Sequence, residues 1–144
     1  MSVQPIPDGY HAVTPALVVN DAGGAIDFYK KVFGAEEMVR FPNADGTVMH
    51  AELRIGDSVV MLGEAGEAPV AHLRAMLYVA DSDATFQRAV DAGATVMEAM
   101  ADMPWGDRAG RVCDPFGNVW LIATHKEDVS VDEMLRRMGL KPPE

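Results

Sequence analysis

The chain of 144 residues carries a single cysteine, Cys113, so it has no internal disulfide framework. That fits a reducing compartment, and a cytoplasmic location is the expectation. No apolar run approaches the roughly 18 residues that a membrane-spanning helix needs, so no membrane association is expected. The opening Met1-Ser2-Val3-Gln4-Pro5-Ile6-Pro7 lacks the basic patch and apolar stretch of a secretion signal. Basic residues are scarce, 12 Lys and Arg against 22 Asp and Glu, for a net charge of −10. Phosphate backbones are drawn to cations, so nucleic acid is not expected as a partner. An acidic balance suits a cationic ligand, and it equally serves solubility alone. The glycine-rich stretches lack the Lys-Ser/Thr of a phosphate loop. No Ser-His-Asp or Cys-His pair can be assembled, and Asp114 beside Cys113 would raise a thiol pKa, so Cys113 reads as buried and inert.

What is present is a repeat. An irregular lead-in is followed by an expected strand from Ala12 to Val19, with Pro15 pointing to a sheet edge or a bulge. Asn20 or Asp21 can cap a helix from Ala22 to Phe33, with Ala22, Ala25, Ile26, Tyr29 and Phe33 on one face and Gly34 as a left-handed stop. Strands are expected over Glu37–Phe41, Val48–Ile55 and Ser58–Leu62, the last two joined at Gly56-Asp57 so that Leu53 would oppose Val60. The pattern then restarts: a strand Ala75–Val79, a helix Asp83–Ala92 burying Phe86, Ala89 and Val90, and strands Ala94–Met100, Gly110–Cys113 and Val119–Thr124. Leu17, Val19 and Asp21 match Leu77, Val79 and Asp81 at an offset of sixty, and Gly56 matches Gly117 at sixty-one. Ser130-Val131-Asp132-Glu133 has capping-box spacing and predicts a last helix, about 130–138. The expected class is α+β: tandem βαβββ repeats, about 12–64 and 70–126, forming a curved mixed sheet with a central cleft in one domain, plus a short C-terminal helix.

This repeat, closed by Asp114-Pro115-Phe116-Gly117-Asn118, resembles the glyoxalase/bleomycin-resistance/extradiol-dioxygenase superfamily, the vicinal oxygen chelate fold. The segments Val13 to Val19, Phe28-Tyr29-Lys30, Met49 to Leu53, Trp105-Gly106-Asp107-Arg108 and Ala123 to Val129 are similar to its PhnB-like branch. The resemblance implies a homodimer and, in the superfamily's enzymes, a divalent metal that holds two neighbouring substrate oxygens. Its metal ligands stand on the first and last strand of each repeat. Carried over by register, those positions are Thr14 and Val60, then Arg74 and Leu121. Threonine is a weak donor, arginine stays protonated, and valine and leucine have no lone pair. No metal or other cofactor is therefore expected, unless ligands have been relocated.

Other residues offer chemistry. His50 and Glu52 alternate with Arg54 on one face of a strand. They are candidates for a pocket acid and base, and the pattern is equally that of a solvated strand side. His125 shares strand parity with Leu121, so both would face the cleft if the strand extends that far. Met103 and Trp105 offer an adaptable apolar wall. The stretch Trp105-Gly106-Asp107-Arg108 has the makings of a lid over a pocket mouth, with Arg108 available for an anion. Thr14, Met103, Trp105, Arg108, Leu121 and His125 are thus the ligand-binding candidates, and His50 and Glu52 the catalytic ones. The leading expectation is a bleomycin-resistance-type binder of an unidentified small molecule, compatible with a cationic drug or metabolite. The alternative is a metal-dependent lyase, isomerase or dioxygenase using His50, Glu52 or His125.

Overall fold

Each half of the chain opens with a short Val- or Leu-containing strand that a helix follows at once, so its sheet partner must come from further along. In the computed structural model, which describes residues 3–141 and 144, β1 (Ala16–Val19) leads through α1 (Ala22–Phe33) to β2 (Glu36–Pro42), β3 (Val48–Ile55) and β4 (Ser58–Glu64). The order repeats as β5 (Arg74–Tyr78), α2 (Ser82–Asp91), β6 (Thr95–Asp102), β7 (Asp107–Cys113) and β8 (Val119–His125), and α3 (Val131–Arg137) follows. In each half three strands form an antiparallel meander, and the first strand pairs parallel to the last. A parallel pair needs a long crossover, and the helix with its two following strands provides it. The result is α+β, two four-stranded mixed sheets of order β1-β4-β3-β2 and β5-β8-β7-β6. By contacts the chain forms two compact units, one up to Leu73 together with Asp114–Asn118, the other Arg74–Cys113 with the residues from Val119 on. Among the described residues no helix is long and apolar enough to cross a membrane.

The first unit's core lies between α1 and one face of its sheet. Ala22, Ala25, Ile26, Tyr29 and Val32 of the helix are fully buried, as are Leu17, Val19, Ala51 and Leu53 within a percent. Val32, rather than Phe33, completes the buried stripe, and the Phe33 ring stacks on Tyr29 at 5.7 Å. β1 starts four residues later than the sequence suggests and runs at the sheet edge, where Pro15 deprives no ladder of a donor. The helix starts are built alike in both repeats. Glu64 accepts the Asp21 and Ala22 N–H groups at 2.9 and 2.7 Å, and Thr124, sixty residues on, accepts Ser82 N–H at 2.8 Å. Asp21, Asp81 and Ser130 each cap their helix by a side-chain oxygen.

In the second unit Phe86 of α2 lies against Gly110, where an added Cβ would fall 2.7 Å from the ring. The face of Gly110, Val112, Trp120 and Ile122 is therefore the helix side, and the alternate residues form the open face. Phe86 and Val90, expected inside, are half-buried, and Cys113, on the open face, is half-buried too.

The Asp-Pro-Phe-Gly-Asn turn belongs with the first unit. Tyr29 Oη donates to Asp114 Oδ2 at 2.6 Å and accepts from Asn118 Nδ2 at 2.9 Å. Asp114 Oδ1 takes the N–H groups of Phe116 and Asn118, and Asn118 Oδ1 takes that of Leu73. Gly117 sits at φ +90° with His72 against it, where any side chain would clash.

Candidate functional site

Alternation along β3 sets up the first candidate site. Ala51, Leu53 and Ile55 are buried toward α1, which turns His50, Glu52 and Arg54 to the opposite face, all half-buried. Leu53 opposes Val60 as the two-residue turn predicts. On this open face a cavity of about 440 Å³ is lined by Ile6, Pro7, Tyr10, Ala12 and Met61 among apolar residues, and by Thr14, His11 and Glu52. Among the described residues Glu52 is the only carboxylate in that lining. Its Oε1 accepts Tyr10 Oη at 2.5 Å, and its Oε2 lies 3.4 Å from His50 Nε2. The hydrogen bond to Glu52 raises the Tyr10 pKa, with desolvation adding to it. His50 lies beyond the cavity wall, its ring over Phe41 at 6.2 Å. His11 and Arg54 are tied to backbone oxygens of Asp57 and Gly9 at 3.1 and 3.4 Å.

The metal-ligand register needs one correction. Ala16 pairs with Met61 as Met76 pairs with Leu121, so the counterpart of Leu121 is Met61, and Val60 points into the core at 6% exposure. The reason is where each glycine sits in its turn. Gly56 is the first of two residues between Ile55 and Ser58, whereas Gly117 is the last of three between Asp114 and Asn118, so matching the glycines at sixty-one shifts the following strand by one residue. The four positions are thus Thr14, Met61, Arg74 and Leu121, which offer a hydroxyl, a thioether, a guanidinium and a hydrocarbon. These do not fit a divalent metal. Among the described residues no group of three or more His, Cys, Asp or Glu is placed to hold one.

The second unit's open face has a different character at each end. At one end three donors converge on Asp107, itself 2% exposed: Tyr78 Oη and Trp105 Nε1 on Oδ2, each at 2.9 Å, and His125 Nδ1 on Oδ1 at 2.7 Å. His125 Nε2 meets Asp128 Oδ1 at 2.8 Å. A carboxylate only accepts, so the two contacts are hydrogen bonds together when both ring nitrogens carry a proton, and the pair of carboxylates favours the imidazolium form. The bonds to Asp128 and Asp107 raise the His125 pKa above the ordinary 6.5, and the bond to Asp107 raises that of Tyr78. At the other end a cavity of about 190 Å³ lies among Arg74, Ala75, Met76, Arg111, Val119 and Leu121.

The expected lid is a hairpin turn. Met103 N–H donates to Asp107 O at 2.7 Å and Gly106 N–H to Met103 O at 3.0 Å, so β7 starts at Asp107, earlier than the sequence suggests. Gly106 O accepts the N–H groups of Lys126 and Glu127, which pins the turn to the segment after β8. Met103 is half-buried in this turn, and the Trp105 indole is committed to Asp107. Arg108 is not free for an anion. It pairs with Thr124, on the α2 side of the sheet, where Nε and Nη2 donate to Asp83 at 3.2 and 3.1 Å and Nη1 lies 3.5 Å from Asp102. His125 does share the face of Leu121, as parity predicts.

Of the sequence candidates, the structure brings Thr14 and Glu52 to one cavity with His50 just outside, and places Trp105 and His125 on one carboxylate. Tyr10, Met61, Asp107, Tyr78 and Asp128 were not identified as site residues. Two signals stood in the sequence, the sixty-residue offset that matches Met61 to Leu121 and the register of the β7–β8 hairpin that pairs Asp107 with His125.

Comparison with known proteins agrees with this architecture. Residues 11–122 match the family described as Glyoxalase/Bleomycin resistance protein/Dioxygenase superfamily. An uncharacterized protein of Mycobacterium tuberculosis (strain ATCC 25618 / H37Rv) is 44% identical over 144 aligned residues, covering 89% of this chain and 82% of its own. The crystal structure of TioX from Micromonospora sp. ML1 superposes with a TM-score of 0.69 at 31% identity, over 80% of this chain and 98% of its own. The X-ray structure of an Arabidopsis thaliana gene product gives 0.65 at 29% identity, over 79% and 98%.

Proposed function

Because the chain belongs to the glyoxalase/bleomycin resistance protein/dioxygenase superfamily, we propose that it is a small-molecule binder that takes an apolar cation in the first unit's cavity, without the superfamily's usual metal. The observation that carries this is Glu52, a carboxylate whose side chain is 13% exposed, in an otherwise largely apolar wall enclosing about 440 Å³. That volume is in the range of small-molecule sites, and a partly desolvated carboxylate favours a positive group over a neutral one. The bleomycin-resistance type of activity, a role in antibiotic resistance, the PhnB-like branch, a cytoplasmic location and a homodimer belong to the same reading. The Trp105-Gly106-Asp107-Arg108 and Ala123 to Val129 motifs support the branch, the single cysteine supports the location, the acidic charge suits a cationic drug, and the homodimer rests on the family resemblance. The metal-dependent alternative finds less support. His50 and Glu52 lie together without a third His, Cys, Asp or Glu among the described residues, and both His125 nitrogens are bonded to carboxylates.

Calorimetry with 2-naphthylmethylammonium and its neutral isostere 2-naphthylmethanol tests the proposal. The cation should bind once per chain and at least about tenfold more tightly, a difference of roughly 1.4 kcal/mol. Glu52→Gln should erase that preference. Equal affinities, or a variant that keeps the preference, would sink the cation site. Titration of stripped protein with Zn, Ni, Mn, Co and Fe(II) should show no tight stoichiometric binding, and one metal per chain would return the enzyme reading to the front.

A further inference from the structure

The two arginines on the open face of the second sheet have no role in that proposal. Arg74 on edge strand β5 pairs across to Val119, and Arg111 on β7 pairs across to Leu121. Val119 and Leu121 are two residues apart on β8, so all four side chains share one face, with the arginines flanking the central strand. Their strands lie about 10 Å apart, two sheet spacings, which long guanidinium side chains can bridge from both sides. The cavity of about 190 Å³ between them has Met76, Val119 and Leu121 as its apolar lining. A hydrocarbon-lined void of about 150 Å³ accommodates benzene, so there is room for one ring or a short aliphatic body.

The charges point to the sign of the ligand. Among the described residues Arg74 has no carboxylate within ion-pair distance, although acidic residues outnumber basic ones 22 to 12. Arg111 is held by Glu98 at 2.8 Å through one nitrogen, which fixes its direction and leaves further N–H donors. Arg74 and Leu121 also stand where the family's register expects metal donors. A guanidinium cannot ligate a metal, but it can take over the metal's positive charge and hold two oxygens of a planar anion in its fork.

We propose that this cavity is a binding site for a small organic carboxylate, its oxygens clamped by Arg74 and Arg111 and its apolar body resting on Met76 and Leu121. The site is distinct in unit and in charge preference from the Glu52 cavity.

The test uses the intact chain and three probes built on one phenyl ring: benzoate, its neutral isostere benzamide, and benzylammonium. Binding is followed by amide and arginine Nε–H chemical shifts. Benzoate should give a saturable one-site titration at millimolar concentration, centred on Arg74, Met76, Arg111 and Leu121. Benzamide should bind at least tenfold more weakly, and benzylammonium should leave those signals unmoved. Arg74→Gln should weaken benzoate at least tenfold while leaving the remaining amide spectrum folded. Arg111→Lys, which keeps charge but loses the fork, should weaken it by a smaller factor. Absence of a saturable shift, equal binding of benzoate and benzamide, or full affinity in Arg74→Gln would each overturn the proposal. The ammonium probe with Glu52→Gln reads the other cavity, so either proposal can fail without the other.

Discussion

Replacing Tyr29 by Phe would probe the joint between α1 and the Asp-Pro-Phe-Gly-Asn turn. The Tyr29 side chain is fully buried, and its hydroxyl donates to Asp114 at 2.6 Å while accepting from Asn118 at 2.9 Å. Asp114 is 4% exposed and Asn118 fully buried, so water cannot readily replace the lost hydroxyl. A bond to a charged acceptor contributes about 1.5–3 kcal/mol and a neutral one about 0.5–1.5, so Tyr29→Phe should cost roughly 2–4 kcal/mol. A chain of this length is stabilised by about 7–20 kcal/mol in total, and at about 2–4 °C per kcal/mol the melting temperature should fall by roughly 5–15 °C. Urea unfolding followed by circular dichroism would measure it, with the slope unchanged if only stability moves. Asn118→Ala in the Tyr29→Phe background should add less than it costs alone, because the two share one bond. A Tyr29→Phe variant within about 0.5 kcal/mol of the parent, at equal slope, would refute the assignment of this network as the joint.

Two further perturbations test the second unit. His125 should titrate above 6.5 by imidazole NMR, and Asp128→Asn should lower its midpoint, because the bond to Asp128 is the largest cause of the shift. The folded pKa lies above the unfolded one, so the pairing stabilises fully below pH 6.5 and its contribution fades as pH rises through the raised value. A midpoint at or below 6.5 would contradict the two-carboxylate clamp. At Gly106, φ is +99° and a methyl group would run into the Glu127 carbonyl oxygen, so Gly106→Ala should destabilise by roughly 1–3 kcal/mol in thermal melts. An unchanged melt would mean that the turn is not pinned there.

Much of the molecule was determined locally and could be read without coordinates. Hydrophobic alternation placed His50, Glu52 and Arg54 together on one face of their strand, the cap residues Asp21, Gly34 and Ser130 bounded their helices, and the sixty-residue offset announced two copies of one unit. Those features depend on neighbours within a few residues, or on a simple count. Tertiary structure decided what depends on pairing between distant segments. The different place of the glycine in the two turns exchanged Val60 for Met61 beside Thr14, because a one-residue slip moves a side chain to the other face of a sheet. The same alternation sent Arg108 to Asp83 on α2 and brought Asp107, Tyr78 and His125 together from three strands. Whether a charged side chain is free to meet a ligand depends on which partner the folded chain puts within about 3 Å of it, and here that gave Glu52 the neutral hydroxyl of Tyr10 in a largely apolar wall and left Arg74, among the described residues, without a carboxylate.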